Sequence, residues 1–284
     1  MDTVKTIKEV REYIKQWRRQ GLSVALVPTM GYLHDGHKSL VERASKENHR
    51  VIVSIFVNPT QFGPNEDLDT YPRDLEHDKK VCESAGASLI FNPEPSEMYF
   101  DDRCTNVEVE GLTNGLCGAK RPGHFSGVCT VVSKLFNIVT PDRAYFGEKD
   151  AQQLAVIKRM VRDLSFDIEI VGCPIVREKD GLAKSSRNIY LSKEERQEAL
   201  SLNRSLRRAK KRLKDGERDT NIIKKAIEEE INKETLSKID YIEIINSEDL
   251  KPVEKIEKTV LIAIAVFIGK TRLIDNFTFE MEEK

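Results

Sequence analysis

Two histidines separated by Asp35 and Gly36 carry the strongest chemical signal in this chain, within the run Pro28-Thr29-Met30-Gly31-Tyr32-Leu33-His34-Asp35-Gly36-His37. The run lies between an apolar stretch at 23–27 and a helical pattern beginning near Lys38. A helix that starts just after such a turn directs unpaired backbone N–H groups at whatever His34 and His37 face, and that setting suits a polyphosphate. Gly31 and Gly36 permit a sharp turn and a close approach of the backbone to a ligand. The same two imidazoles are also able to cap the helix or to stay solvated. The strand–turn–helix context is what favours nucleotide chemistry.

Other strand ends carry polar groups of complementary kinds. At 57–62, Asn58 and Gln61 offer amides that pair with both donors and acceptors on a small polar substrate. Asn58-Pro59 is equally an ordinary turn. At 146–153, Gly147 allows close backbone approach, Lys149 offers positive charge, and Gln153 lies one turn into a helix. With Glu148 and Asp150 the same run also reads as a charged helix start with Asp150 as N-cap. At 180–188 an Asp-Gly turn precedes Lys184, Ser185, Ser186 and Arg187, which put two cations and two hydroxyls on one loop. Such a loop can close over phosphates and offset charge during transfer, or serve as a solvated hinge. Arg121 and His124 add a further cation and imidazole in a Gly-containing segment. Two look-alikes fail. Gly269-Lys270-Thr271 lacks the first glycine of a phosphate loop, since that position is Ile264. In the Gly123–Gly127 run the serine comes one place too late for a nucleophile elbow.

The elements that must position these groups are legible from periodicity. Val4, Ile7, Val10, Ile14 and Trp17 recur at helical spacing and predict a helix over about 4–20. Apolar runs at 23–27, 51–57, 88–91, 143–146 and 167–171 then alternate with helical patterns at about 37–48, 73–86, 126–139 and 150–164. Alternation of this kind predicts right-handed βαβ units in an α/β, Rossmann-like, doubly wound parallel sheet. Ligands of such sheets bind at the carboxyl ends of strands, where the His34/His37 turn lies. Beyond a polar segment at 176–192, two charged helices (about 193–215 and 219–234) precede strands at about 239–246, 258–267 and 271–276. The expected division is a nucleotide- and substrate-binding domain at 1–176 and a smaller C-terminal α+β domain at 177–284. Residues 92–120 give no clear reading.

Composition narrows the classes. The 284 residues are 39% hydrophobic and 33% charged, enough for a buried core and a solvated surface. A formal net charge of -1 argues against a protein that coats nucleic acid. Five cysteines without Cys-x-x-Cys spacing suggest neither a disulfide framework nor a zinc site, and point to a reducing cytoplasm. Residues 1–5 lack the charged-then-apolar pattern of a signal peptide. The longest apolar run, 260–268, is far short of the ~20 residues needed to span a bilayer and reads as a buried strand.

Six segments, PTMGYLHDGH, VSIFVNPTQF, RPGHFSGV, FGEKDAQQ, DGLAKSSRN and GKTRLIDN, run in order along almost the whole chain. Together they resemble the pantothenate synthetase family of the His-x-Gly-His nucleotidyltransferase superfamily. The departures are Tyr32, where alanine is more usual, and Lys38, where leucine is; both leave the histidines in register. The resemblance implies condensation of pantoate with β-alanine by ATP and Mg²⁺ through a pantoyl-adenylate, in a homodimer. It implies that Met30, Gly31, His34 and His37 hold ATP phosphates, with His37 the proton donor. Gly147, Glu148, Lys149 and Asp150 would hold the nucleoside, with Val176 at the adenine. Lys184, Ser185, Ser186 and Arg187 would close over the phosphates. Gln61 and Gln153, with Asn58, would bind pantoate, and Gln61 would lie where β-alanine enters. Protein ligands of Mg²⁺ are not designated. No covalent nucleophile is required.

Overall fold

Strand and helix alternate from the first residues of the computed structural model, which describes residues 1–64 and 66–281. The order is β1 (Asp2–Val4), α1 (Ile7–Arg19), β2 (Val24–Thr29), α2 (Asp35–Glu47), β3 (Arg50–Ile55), α3 (Leu75–Ser84) and β4 (Leu89–Phe91). Short helices α4 (Pro95–Met98) and α5 (Leu116–Lys120) interrupt an irregular stretch before α6 (His124–Val139), β5 (Arg143–Gly147), α7 (Ala151–Asp163) and β6 (Glu169–Cys173). Then come α8 (Lys193–Lys214), α9 (Thr220–Ile231), β7 (Ser237–Asn246), β8 (Val260–Ile268) and β9 (Thr271–Phe279). The structure thus bears out the α/β reading and nearly all the expected elements.

One correction falls at the start. Val4 does not open α1; it pairs with Phe91 in β1, a parallel edge strand, and Thr6 caps the helix that follows. A three-residue strand is too short to show alternation, and Val4 happens to fit the helical phase of Val10, Ile14 and Trp17. Those three form the buried stripe of α1.

The chain divides into two compact units. The first comprises residues 1–113, 117–148 and 153–174; the second comprises 114–116, 149–152 and the chain from 175 onward. In the first, six parallel strands run in the order β1-β4-β3-β2-β5-β6. From β2 the chain builds outward to β3 and later to β5 on the other side, so the order reverses between β2 and β5. That crevice is where a doubly wound sheet receives a ligand. The His34/His37 turn follows β2 and Gly147 ends β5, so the two flank it.

In the second unit β7, β8 and β9 form an antiparallel sheet. One face carries Ile262, Ile264, Val266 and Leu273 against Leu202, Leu206, Ile223 and Ile227 of α8 and α9. The other carries Ile245, Leu261 and Ala263 against Leu116, with Ala151 and Tyr241 packed alongside. Coverage of both faces explains why β8 is apolar at every position rather than alternating. Among the described residues no helix is long and apolar enough to cross a membrane.

Candidate active site

The turn after β2 is held by its own backbone and by α3. Thr29, at the end of β2, donates through Oγ1 to the Ser54 carbonyl at 2.7 Å and accepts from the Gly31 N–H at 3.2 Å. Gly31 has φ +86°, and a Cβ there would lie 3.0 Å from both Asp78 Oδ2 and Ile55 Cγ2. Only glycine meets both demands. Asp78, from α3, is buried and accepts from the N–H groups of Tyr32 at 2.9 Å and Leu33 at 2.6 Å. Burial pushes its carboxyl above the ordinary range, and these two N–H groups pull it part of the way back. The neighbouring His77 ring lies 2.9 Å from the Leu33 carbonyl.

His34 and His37 then cap α2 as a reciprocal pair. His34 Nδ1 accepts from the Gly36 N–H at 3.1 Å, and His37 Nδ1 accepts from the His34 N–H at 3.3 Å. Their rings stack at 4.0 Å between centroids. The capping and functional readings of these residues are therefore compatible. Because Nδ1 accepts in each, the neutral ring carries its proton on Nε2, as a donor at the helix N-terminus.

The polar turn after β3, at Pro59–Gln61, gathers Asn58, Gln61 and Met30. Asn58 is buried, and both ends of its amide are used within the protein. Its Oδ1 accepts from the Thr60 hydroxyl at 3.0 Å and the Tyr99 hydroxyl at 2.8 Å. Its Nδ2 donates to Gln61 Oε1 at 3.0 Å and the Gly127 carbonyl at 3.2 Å. Gln61 Nε2 lies 3.1 Å from Met30 Sδ. Asn58 thus aligns the Gln61 amide next to the residue that opens the histidine turn.

Helix α6 secures this turn from behind. A Cβ on Gly127 would lie 2.4 Å from the Thr60 carbonyl oxygen and 2.7 Å from Gln61 Cα, so the helix meets the turn backbone to backbone. His124 Nδ1 is 2.9 Å from the Gln61 carbonyl, and Arg121 Nη1 is 3.0 Å from His124 Nε2. A guanidinium only donates, so Nε2 accepts and the Nδ1 proton goes to Gln61. Arg121 is itself held by Glu66 through two bonds of 2.6 Å. Burial raises the Glu66 carboxyl, but the Arg121 hydrogen bonds and charge outweigh it and leave the carboxyl below its usual range. The Arg121–His124 segment therefore positions Gln61.

The other expected residues fall on different elements. Gly147 pairs with Cys173 in the parallel sheet, and Glu148–Asp150 form a single 3-10 turn before α7. Lys149 Nζ is 3.6 Å from Asp150 Oδ2. Gln153 is half-buried on the first turn of α7, whereas Gln152 is buried and donates to the Gly115 carbonyl at 2.9 Å. In the second unit, residues 176–184 fold into a hairpin in which the Lys184 N–H donates to the Val176 carbonyl at 3.0 Å. Ser185 caps the 3-10 turn Ser186–Tyr190 by accepting from the Arg187 N–H at 3.3 Å. Asn188 ties this turn down through Glu178 Oε1 and the Ala183 carbonyl, both at 3.1 Å. Gly269–Thr271 is the tight β8–β9 connection and Ser126 lies inside α6, so neither look-alike has the context of its motif. Sequence reasoning missed Asp78, His77, Tyr99 and Glu66. All four act on the site through contacts distant in sequence, and only the neighbouring Arg121 and His124 were visible as a motif.

The family model for pantoate-beta-alanine ligase matches residues 2–278. The pantothenate synthetase of Clostridium acetobutylicum is 67% identical over 281 residues, covering 99% of this chain and all of that protein. The crystal structure of pantothenate synthetase from Thermus thermophilus superposes with a TM-score of 0.93 at 48% identity, covering 98% of this chain and 99% of that one. The pantoate-beta-alanine ligase of Francisella tularensis, solved in complex with beta-gamma ATP and beta-alanine, gives 0.80 at 36% identity and covers 98% of this chain and 97% of that one. With a turn capped by paired histidines at the switch point of a parallel sheet and a match along nearly its whole length, this chain belongs to the pantoate-beta-alanine ligase family.

Proposed function

We propose a division of labour among these residues for the ATP-dependent joining of pantoate to β-alanine. The observation that carries it is the reciprocal cap of α2, which fixes the Nδ1 atoms of His34 and His37 as acceptors and so sets the tautomer and place of both rings at a helix N-terminus. In this reading the ATP phosphates lie against Met30, Gly31, His34 and His37, where two imidazole donors and the helix dipole favour negative charge. Gly147, Glu148, Lys149 and Asp150 hold the nucleoside, with Val176 at the adenine. Gln61 and Gln153 bind pantoate, Asn58 sets the Gln61 amide, and β-alanine enters beside Gln61. The Francisella relative, solved with beta-gamma ATP and beta-alanine, supports the choice of both substrates.

Two steps follow. A pantoate carboxylate oxygen attacks the α-phosphorus, the bond to the bridging oxygen breaks, and pyrophosphate leaves with its electron pair. Two anions must meet for this, so His37, His34, Lys149, Lys184 and Arg187, with the hydroxyls of Ser185 and Ser186, offset charge that grows on the phosphates. The neutral β-alanine amine then attacks the acyl carbon, the acyl–oxygen bond breaks with its electron pair going to AMP, and the amine gives up one proton to water as the amide forms. Mg²⁺, which usually retains waters and needs few protein ligands, would supply charge neutralisation on the polyphosphate held by His34, His37, Lys184 and Arg187.

The test is pantoate-dependent exchange of pyrophosphate into ATP with no amine present, followed by AMP release on adding β-alanine. Folded protein with Mg²⁺ that showed no exchange would refute the reading. A nucleotidylated product that persists after amine addition would mark an enzyme that stops at the first step. We further place the chain in the cytoplasm, which its free cysteines suit, and infer a homodimer, which sedimentation at assay concentration tests.

A further inference from the structure

The GKTRLIDN string at 269–276 has no role in the site above, yet Asp275 is only 2% exposed and Asn276 6%. Neighbouring residues of a strand face opposite sides of the sheet. Asp275 sits opposite Ile264, on the face covered by α8 and α9. Asn276 sits opposite Ala263, on the face that carries Leu116 and Ala151.

The two side chains hold different segments of the second unit. Asp275 binds Arg177 in a fork, Nη1 to Oδ2 at 2.7 Å and Nη2 to Oδ1 at 2.8 Å, and the same Nη1 donates to the Gly181 carbonyl at 3.2 Å. Arg177 begins the hairpin that ends in Lys184, being bridged to Ala183 across it. Asn276 Nδ2 donates to the Lys149 carbonyl at 2.7 Å, while the Asn276 N–H is held by Asp275 Oδ1 at 2.8 Å.

We propose that Asp275 and Asn276 are positioning residues for adenylation, one dipeptide of β9 fixing from opposite faces of a single sheet the backbones that carry Lys149 and Lys184–Arg187. An ion pair whose carboxylate is buried, as Asp275 is, is a poor source of stability compared with apolar residues of similar volume, but a forked Arg–carboxylate pair defines orientation tightly. Lys149 and Lys184 sit on long flexible stems, so the backbone under each is what the fold can control. The inference rests on the reading of these lysines as groups that offset phosphate charge.

The experiment compares Asn276→Ala with the paired variant Arg177→Leu/Asp275→Leu, which removes both charges and keeps the volume filled. Each is measured for thermal stability, pantoate dissociation constant, pantoate-dependent ATP–pyrophosphate exchange, and conversion of synthetic pantoyl-adenylate by β-alanine. The expected result is exchange slowed about 10- to 100-fold, the scale of an ångström-level misplacement, with pantoate binding and the amine step unchanged. Equal losses in both half-reactions, or a weakened pantoate affinity with full exchange at saturation, would mean a merely structural role and overturn the proposal. Lys149→Ala and Lys184→Ala run alongside. If they lose exchange while the β9 variants keep it, the positioning inference alone fails. If they keep wild-type exchange, the underlying assignment of the lysines fails.

Discussion

At the scale of single residues, His34 and His37 cap α2, and the proposed function gives each a second job that substitution can separate. Alanine at either position would remove a cap as well as an imidazole, at about 1 kcal/mol for the cap. Asparagine keeps an oxygen acceptor near the Nδ1 position and withdraws the Nε2–H. His37→Asn is therefore expected to melt close to the wild type while its pantoate-dependent exchange falls about 100-fold, the usual weight of one general acid–base group. Wild-type exchange in a folded His37→Asn protein would show that the ring acts only as a cap. A second residue-scale expectation concerns Glu66, whose carboxyl the Arg121 guanidinium holds below 4.5 despite burial. A lowered folded-state value means that the ion pair stabilises fully above the unfolded value and loses its effect as pH falls through the folded one. The melting-temperature gap between wild type and Glu66→Gln should thus be steady near neutrality and close progressively below pH 4.5. A gap that widened on acidification would contradict the pairing.

At the scale of elements, the junction between α6 and the Pro59–Gln61 turn sets where Gln61 stands. Gly127→Ala would drive a methyl to 2.4 Å from the Thr60 oxygen, and neither backbone can yield without moving the other. We expect about 1–3 kcal/mol of destabilisation, typical of overpacking, together with a weaker pantoate affinity by titration calorimetry. Unchanged affinity in a destabilised Gly127→Ala would separate the junction from the substrate. This junction also shows why some of the site was readable in the sequence and some was not. The strands and helices announced themselves by apolar runs and 3.6-residue stripes, and the histidine turn by its place between them. Asp78 gave no such sign, because a carboxylate in Leu-Glu-His-Asp-Lys-Lys looks like any solvated helix face until the fold buries it against Tyr32 and Leu33. The bond from His124 to the Gln61 carbonyl spans 63 positions, and no local pattern encodes such a distance. β1 was hidden by its brevity, and the stretch before α6 by having no periodic apolar pattern to read.

At the scale of the molecule, the two compact units carry different parts of the chemistry in the proposed function: Met30, Gln61 and the histidines belong to the first, and Lys149 and Lys184–Arg187 to the second. Groups that bind the ground state and groups that act on the transition state leave different kinetic signatures. If Gln61 binds pantoate as proposed, Gln61→Ala removes an amide that the substrate uses in both the ground and transition states, so its pantoate dissociation constant should rise about tenfold, and saturating pantoate should restore most of the adenylation rate. In the proposed function Lys184→Ala removes charge that offsets the negative charge gathering on the leaving pyrophosphate. Its pantoate affinity should stay at the wild-type value while single-turnover adenylation at saturation drops about 100-fold. The double variant should show the product of the two effects, since the side chains serve separate steps without sharing a partner. A Lys184→Ala protein that weakened pantoate binding as much as Gln61→Ala, or a double variant no worse than either single one, would show that the two sets of residues act on the substrate as one.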